Sequence, residues 1–129
     1  MDGTSAVVTG ASRGIGASVA ARFAAEGADV TCCARSRESL ESVVEGIVDD
    51  GGRARAVRAD VRDEFDVERL METAAREAGG IDVVVANAAV NHGEAGASPL
   101  DEESYSRFDD TMRTNLRGVF ATVREALPH

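Results

Sequence analysis

A glycine-rich turn near the N-terminus constrains the fold more than any other feature of this sequence. Residues 9–16 read TGASRGIG. They follow a short β-branched apolar run at 6–9 and open an apolar helical pattern at 15–25 that stops at Gly27. The change from an extended to a helical pattern across the turn predicts a strand, a tight bend and a helix in immediate succession.

Each of the three glycines in this turn has a distinct physical role. Gly10 permits the tight bend, Gly14 lets a backbone approach a pyrophosphate, and Gly16 allows the helix to pack close to the strand. The first turn of the helix offers unpaired N–H groups and a partial positive charge to an anion. Alone, such a turn could be only a tight bend between packed elements. Between a strand and a helix it indicates a dinucleotide-binding unit.

The rest of the chain continues the alternation of strands and helices. Further strands are predicted at 28–34, 53–59 and 81–86, and further helices at 37–50, 64–78 and 100–128. The stops are Gly51-Gly52 and Gly79-Gly80, and residues 87–99 have the composition of a loop. The two middle helices have apolar faces made of Leu40, Val43, Val44 and Ile47, and of Phe65, Val67, Leu70, Met71 and Ala74.

The same patterns predict where the helices begin and where two of the strands lie in the sheet. Ser36 and Asp63 are N-cap candidates for the middle helices, and Asp101 or Ser104 for the last helix. The third strand has two similar faces, which favours a place toward a sheet edge. The fourth is almost continuously apolar, as is typical of a strand buried on both faces.

Strands that alternate with helices imply a parallel sheet with helices on both faces. We therefore expect an α/β, Rossmann-like sheet in the order 3-2-1-4, a truncated doubly wound fold that ends with the last helix. A length of 129 residues leaves room for one domain, and we assign residues 1–129 to a single NAD(P)-binding Rossmann domain.

The charge of the chain bears on its partners. All 14 basic residues are Arg, none is Lys, and 23 acidic residues give a formal net charge of -9. This acidity disfavours nucleic acid as a partner. It suits a halophilic protein, although a GC-rich genome or a deliberately lysine-free sequence would explain it as well. No window reaches about 18 apolar residues, so we expect no membrane span.

Cysteine and histidine placement argues against a disulfide framework or a metal site. Cys32 and Cys33 are adjacent in an apolar run, which predicts small core residues in a reducing cytoplasm. His92 and His129 lack metal-ligand spacing to a partner, so no metal ligand is predicted. The acidic run at 101–103 suits a helix N-terminus.

The end of the second strand bears on which nicotinamide cofactor would fit. It reads Ala34-Arg35-Ser36-Arg37, without the carboxylate that would hold a ribose 2′-hydroxyl. Arg35, aided by Arg13, could instead clamp the 2′-phosphate of NADP. These arginines could also merely cover an acidic surface. We expect NADP to be preferred, with NAD possible.

Four motifs in register resemble the short-chain dehydrogenases/reductases. They are the Thr-Gly-x-x-x-Gly-x-Gly turn, Asp60-Val61, Asn87-Ala88-Ala89 and the segment 115–120 (NLRGVF). The family usually has Asn-Asn-Ala-Gly where this chain has Ala86-Asn87-Ala88-Ala89. The resemblance extends over essentially the whole chain and implies a Rossmann fold that binds NAD or NADP.

The resemblance also implies roles for individual residues. Asp60 would accept a hydrogen bond from the adenine amino group, the Val61 backbone would contact the ring, and Asn87 would lie beside the adenosine ribose. Asn115 would be the catalytic asparagine, which holds a water in the proton relay. Ser12, Ile15 and Ala88 would complete the cofactor contacts. Asp60 could instead be a turn residue or cap, and Asn115 a helix residue satisfied locally.

The catalytic Tyr-x-x-x-Lys motif of the family is missing from this sequence. The single tyrosine, Tyr105, has Asp109 four residues later and precedes Asn115, so we interpret it as a packing residue of the last helix. A carboxylate nearby would raise the pKa of a tyrosine, the wrong direction for a general acid/base near neutrality.

The motifs leave two functions open. The chain is either the N-terminal part of an NADP(H)-dependent oxidoreductase acting on a small carbonyl or alcohol, inactive alone, or a non-catalytic dinucleotide-binding module. The fourth strand would be an exposed apolar edge, which predicts a homo-oligomer that pairs through this edge and the last helix, or else instability alone.

Overall fold

The computed structural model describes residues 1–91 and 99–129. The described residues form four strands, β1 (Ser5–Thr9), β2 (Asp29–Ala34), β3 (Arg53–Arg58) and β4 (Val83–Val85). They form five α-helices, α1 (Gly14–Ala25), α2 (Arg37–Asp49), α3 (Glu64–Ala78), α4 (Tyr105–Met112) and α5 (Gly118–Ala126). A 3₁₀ turn, Leu100–Glu102, precedes α4, and a π-helical turn, Arg113–Arg117, joins α4 to α5.

The four strands make one parallel sheet in the order β3-β2-β1-β4. At the centre of the sheet, Val7 of β1 pairs with Thr31 of β2 on one side and with Val84 of β4 on the other. This confirms the predicted order and the place of β3 at an edge. The strand order reverses beside β1, where an open α/β sheet forms a crevice at the carboxyl ends of its strands.

Helices cover both faces of the sheet, as the alternating pattern predicts. Val7 and Cys33 pack on one face against α3 and α5, whereas Val8 and Cys32 pack on the other against α1 and α2. Successive side chains of a strand point to opposite faces, so the adjacent cysteines belong to different cores. Both are buried and reduced, which confirms them as core residues.

Helix α3 begins and ends where the sequence predicts. The Asp63 carboxylate accepts hydrogen bonds from the backbone N–H groups of Phe65, at 2.9 Å, and Asp66, at 3.3 Å. Gly79 ends the helix with φ +82°. Ser36 precedes α2, but its side chain accepts no cap hydrogen bond; its hydroxyl donates to Ser39 Oγ at 3.1 Å.

The prediction of one helix over residues 100–128 is wrong at its start, where Leu100–Glu102 form a 3₁₀ turn, but helical backbone continues from Tyr105 through the π-helical turn to Ala126. The 3₁₀ turn ends before Ser104, whose hydroxyl accepts from Arg107 N at 3.2 Å and starts α4. Asp101 therefore lies in the 3₁₀ turn and is not the cap. The π-helical turn inserts one extra residue per turn and shifts the helical phase between α4 and α5. The predicted loop at 87–99 lies partly outside the described residues.

Three packing predictions also need correction. β4 is only three residues long and half-buried, so it is not buried on both faces; it is an edge strand of the sheet, as the predicted order requires. Phe65 is 73% exposed and lies off the packed face of α3, in its first turn. Tyr105 is 90% exposed, so it starts α4 without packing.

Among residues 1–91 and 99–129, no helix combines the length and apolarity that a bilayer crossing demands.

Candidate functional site

A cleft of about 840 Å³ opens at the carboxyl ends of the strands, where the strand order reverses. Its walls come from the glycine-rich turn and from the segments that follow β2, β3 and β4. The lining residues are Gly10, Ser12, Arg13, Gly14, Ile15, Cys33, Ala34, Arg35, Ser36, Ser39, Ala59, Asp60, Val61, Asn87, Ala88, Ala89, Val90 and Thr114.

Ten of the eleven cofactor-binding residues proposed from the sequence line this cleft. The exception among them is Gly16, which is buried behind the turn. Asn115, the proposed catalytic residue, does not line it either, although its neighbour Thr114 does. The fold thus brings together side chains from four separate segments of the chain.

The glycine-rich turn is shaped by left-handed backbone and by close approach. Gly10 and Gly14 have φ of +67° and +57°, a region in which only glycine is unstrained. A Cβ on Gly16 would collide with the Gly10 carbonyl oxygen and would lie 2.6 Å from Asn87 Nδ2. A Cβ on Gly14 would meet nothing within 4 Å, so this position faces open space.

A hydrogen-bond cluster joins the turn to the segment after β4. Thr9 Oγ1 accepts from the N–H groups of Asn87 and Ala88, both at 3.1 Å, and lies 3.4 Å from Val85 O, to which it donates. Asn87 Nδ2 donates to the carbonyls of Thr9, at 3.1 Å, and Gly10, at 3.3 Å. Asn87 thereby fixes two walls of the cleft relative to each other.

Sequence reasoning missed Thr9 as a site residue. Its position at the end of an apolar strand predicts a core residue, and it is indeed buried. The signal that could have found it is a hydroxyl directly before Gly10, because a buried hydroxyl needs partners.

Asp60 begins the loop after β3 and forms an Asx-type turn with Arg62. Asp60 Oδ1 accepts from Arg62 N at 3.0 Å, and both carboxylate oxygens accept from the Arg62 guanidinium at 2.7–3.0 Å. Hydrogen bonds from Arg62 hold the pKa of Asp60 below its ordinary value. The turn role considered for Asp60 is therefore present, on a residue that also lines the cleft.

Arg13, in the glycine-rich turn, and Arg35, directly after β2, both line the cleft. Both side chains are exposed. Within the described residues, neither guanidinium makes a hydrogen bond or an ion pair. By contrast, Arg37, two residues beyond Arg35, is paired with Glu41 at 2.7 Å. The two cleft arginines are thus charged donors without an acidic partner in direct contact in this part of the protein.

Asn115 lies in the π-helical turn and holds the segment after β4. Its Oδ1 accepts from Val90 N at 2.8 Å, and its Nδ2 donates to Val90 O at 3.0 Å. The side-chain amide is thus satisfied by a segment 25 residues away in the sequence and not, as the alternative interpretation expected, by its own helix. Thr114, which sequence reasoning missed, is buried beside the cleft with no partner for its hydroxyl among the described residues.

The cysteines are not candidates for nucleophilic chemistry. Burial raises the pKa of Cys32 to about 11 and that of Cys33 to about 12, so both thiols stay protonated at neutral pH. In the described part of the chain, no group of three or more His, Cys, Asp or Glu side chains is arranged to hold a metal ion. His92 lies outside the described residues.

A parallel sheet with a glycine-rich first turn and a crevice at its switch point defines a dinucleotide-binding protein of the Rossmann class. The family model of the short chain dehydrogenases matches residues 4–129. The chain belongs to this family of oxidoreductases, whose members use NAD or NADP.

Known relatives share both the sequence and the fold. The chain is 40% identical to 3beta-hydroxysteroid dehydrogenase 1 of Eggerthella lenta, over 100% of this chain and 48% of the relative. A dehydrogenase/reductase from Sinorhizobium meliloti superposes with a TM-score of 0.93 at 39% identity, covering 100% of this chain and 50% of that one.

A metagenomic short-chain oxidoreductase in complex with NADP has a TM-score of 0.90 and 33% identity, covering 99% of this chain and 57% of that one. The chain spans about half the length of the curated relatives it matches.

Proposed function

We propose that the cleft binds NADP(H) and that the chain is the cofactor-binding part of a short-chain dehydrogenase/reductase that interconverts carbonyls and alcohols. The observation that carries the proposal is that the guanidiniums of Arg13 and Arg35, which line a cleft built on the glycine-rich turn, make no hydrogen bond or ion pair within residues 1–91 and 99–129. A phosphate at the end of β2 would meet two guanidiniums, and it would not have to displace an acidic side chain of the described part of the chain from either one.

The residues present fit a dinucleotide in three respects. The open space at Gly14 leaves room for a pyrophosphate against the backbone at the start of α1. Asp60 and Val61 would hold the adenine, and Asn87 and Ala88 the adjacent ribose. The remaining contacts of the turn would come from Ser12 and Ile15. The bound nucleotide supplies hydride chemistry, which the protein side chains cannot supply.

Asn115 is proposed as the catalytic asparagine of the family. Both ends of its side-chain amide are engaged by Val90. The oxygen keeps one lone pair and the nitrogen one proton, so a relay water could still bind this side chain. The side chain acts by fixing the segment after β4, which lines the cleft.

A non-catalytic dinucleotide-binding module is the second candidate. It would use the same cleft and glycine-rich turn and would not require the Tyr-x-x-x-Lys motif, which residues 1–129 do not contain. The chain offers no residue for the role of the family's lysine. A longer protein containing a downstream Ser and Tyr-x-x-x-Lys would favour the enzyme, and a stop codon near His129 the module.

We predict that this chain binds NADP and does not by itself reduce carbonyls. The measurement is NADPH oxidation, followed by absorbance with a panel of aldehydes and ketones, beside a binding titration on the same preparation. Turnover above the buffer rate would contradict the inactivity. Failure to bind NADP would contradict the proposed site.

We further propose that the chain forms a homo-oligomer through its last helices and the β4 edge. The helices α4 and α5 carry an exposed apolar stripe, which consists of Phe108, Met112, Leu116, Phe120, Val123 and Leu127. Exposed apolar residues that recur every three or four positions along a helix are typical of an interaction surface.

If the stripe forms the oligomer, a charged residue placed in it should lower the oligomeric mass. Phe120→Glu should convert a dimer or higher oligomer at micromolar concentration into a monomer, because it would bury a charge in an apolar contact. Sedimentation in low and in molar salt checks this. Val48→Glu, an exposed apolar residue of α2 outside the stripe, is the matched control. A monodisperse wild-type monomer in both salts would contradict the proposal.

We also propose a cytoplasmic setting for the protein. Two reduced, buried cysteines suit the cytoplasm. The acidic surface suits a halophile, with genome composition or a deliberately lysine-free sequence as the open alternatives.

A further inference from the structure

Arg62 occupies a central position in the loop between β3 and α3. Its guanidinium contacts both oxygens of Asp60, the closest at 2.7 Å, and its NH1 donates to Asp110 of α4 at 2.8 Å. All three side chains are about one quarter to one third exposed, at 24%, 29% and 31%. One arginine thus connects a residue of the cleft wall to a helix distant in sequence.

The same loop is fastened to the end of the chain by two further contacts. Arg117 NH1 donates to the carbonyl of Arg62 at 2.9 Å, and its NH2 pairs with Glu64 at 3.2 Å. Gly118 lies so close to Val61 that a Cβ would be 2.8 Å from Val61 Cγ2. The loop that carries Asp60 and Val61 is therefore held by α4, the π-helical turn and α5.

The contacts of Arg62 determine the orientation of the Asp60 carboxylate. A bidentate guanidinium fixes the plane of a carboxylate as well as its charge. An ionised carboxylate has about four lone-pair sites, so the arginine leaves capacity for a further donor. The main chain of Asp60 is held separately, since its N–H donates to Asp66 Oδ2 at 3.0 Å. Only the side chain depends on Arg62.

We propose that Arg62 is a positioning residue for adenine recognition, and that through Asp110 it makes this recognition depend on α4. The inference rests on the proposed binding of NADP. Arg62 does not line the cleft; it acts by holding Asp60 in the orientation that accepts a hydrogen bond from the adenine amino group.

The test compares NADP with its deaminated analogue, nicotinamide hypoxanthine dinucleotide phosphate, which has a carbonyl oxygen, an acceptor, in place of that amino group. The ratio of their dissociation constants, measured by calorimetry, reports adenine recognition separately from overall stability. For the wild type we expect a ratio of about 10 in favour of NADP, the size of one charge-assisted hydrogen bond.

Arg62→Ala should lower this ratio to about 1–2, since an untethered carboxylate gains little from the amino group. Arg62→Lys should restore part of it, because lysine keeps the charge without the planar fork. Asp110→Asn should give an intermediate ratio. Arg76→Ala is the control, because it removes the same charge from α3, where Arg76 pairs with its neighbour Glu77.

The outcomes separate this inference from the proposed function. Failure of the wild type to bind NADP would overturn both. A wild type that binds NADP, with a ratio unchanged in Arg62→Ala or equally lowered in Arg76→Ala, would overturn only the role of Arg62. If Arg62→Ala does not fold, the Arg62→Lys and Asp110→Asn ratios decide the question, and wild-type ratios in both would overturn it.

Discussion

Replacing Gly16 by alanine should lower the free energy of unfolding by about 1–3 kcal/mol, the usual cost of overpacking. The added Cβ would collide with the Gly10 carbonyl oxygen and lie 2.6 Å from Asn87 Nδ2. Neither neighbour can move freely, because one is backbone and the other holds Thr9 and Gly10 by hydrogen bonds. Either shift would move a wall of the cleft, so NADP affinity should also fall at least about tenfold.

The matched control is Gly46→Ala. Gly46 is a helical glycine of α2, and a Cβ added to it would meet nothing within 4 Å. Alanine should therefore raise stability by about 0.5–1 kcal/mol. Urea unfolding of both variants gives the free energies, and calorimetry gives the affinities. Wild-type stability and wild-type affinity in Gly16→Ala would show that the close approach does not shape the site.

Replacing Arg35 by alanine should lower NADP affinity by about 10- to 100-fold and leave NAD affinity little changed. The guanidinium is exposed in the cleft and has no acidic partner in direct contact among the described residues. It would bind a 2′-phosphate without breaking an existing ion pair. NAD lacks that phosphate, so its affinity should not depend on Arg35.

Arg37→Ala is the control for Arg35, since it removes the same charge two residues away. Arg37 is engaged by Glu41 and lies outside the cleft lining. Its removal should change NADP affinity much less than that of Arg35. Equal losses of NADP affinity in the two variants would show that the overall positive charge, and not a direct contact by Arg35, causes the effect. Equal wild-type affinities for NADP and NAD would contradict the cofactor preference outright.

The sequence predicted the order of the sheet because the glycine-rich turn after the first strand indicated a Rossmann fold, whose strand order is known. A β-branched run before the glycine-rich turn identifies β1, and the alternation with helices makes the sheet parallel. The edge position of β3 followed from its two similar faces. The cap of α3 at Asp63 followed from residue type and position alone, since that interaction spans only two or three residues.

Features that depend on distant residues were not accessible from the sequence. The contact of Arg62 with Asp110 spans 48 residues, and that of Asn115 with Val90 spans 25. The π-helical turn changes the phase of the last helices, which a regular helical pattern conceals. The exposure of Phe65 depends on which turn of α3 reaches the sheet, because apolar spacing alone does not say where packing begins.

The most direct test of the proposed cofactor site is a pair of calorimetric titrations of this chain, one with NADP and one with NAD, under identical buffer and salt. We expect one NADP site per chain and weaker binding of NAD. The absence of binding by either nucleotide to a folded preparation would contradict the proposed site.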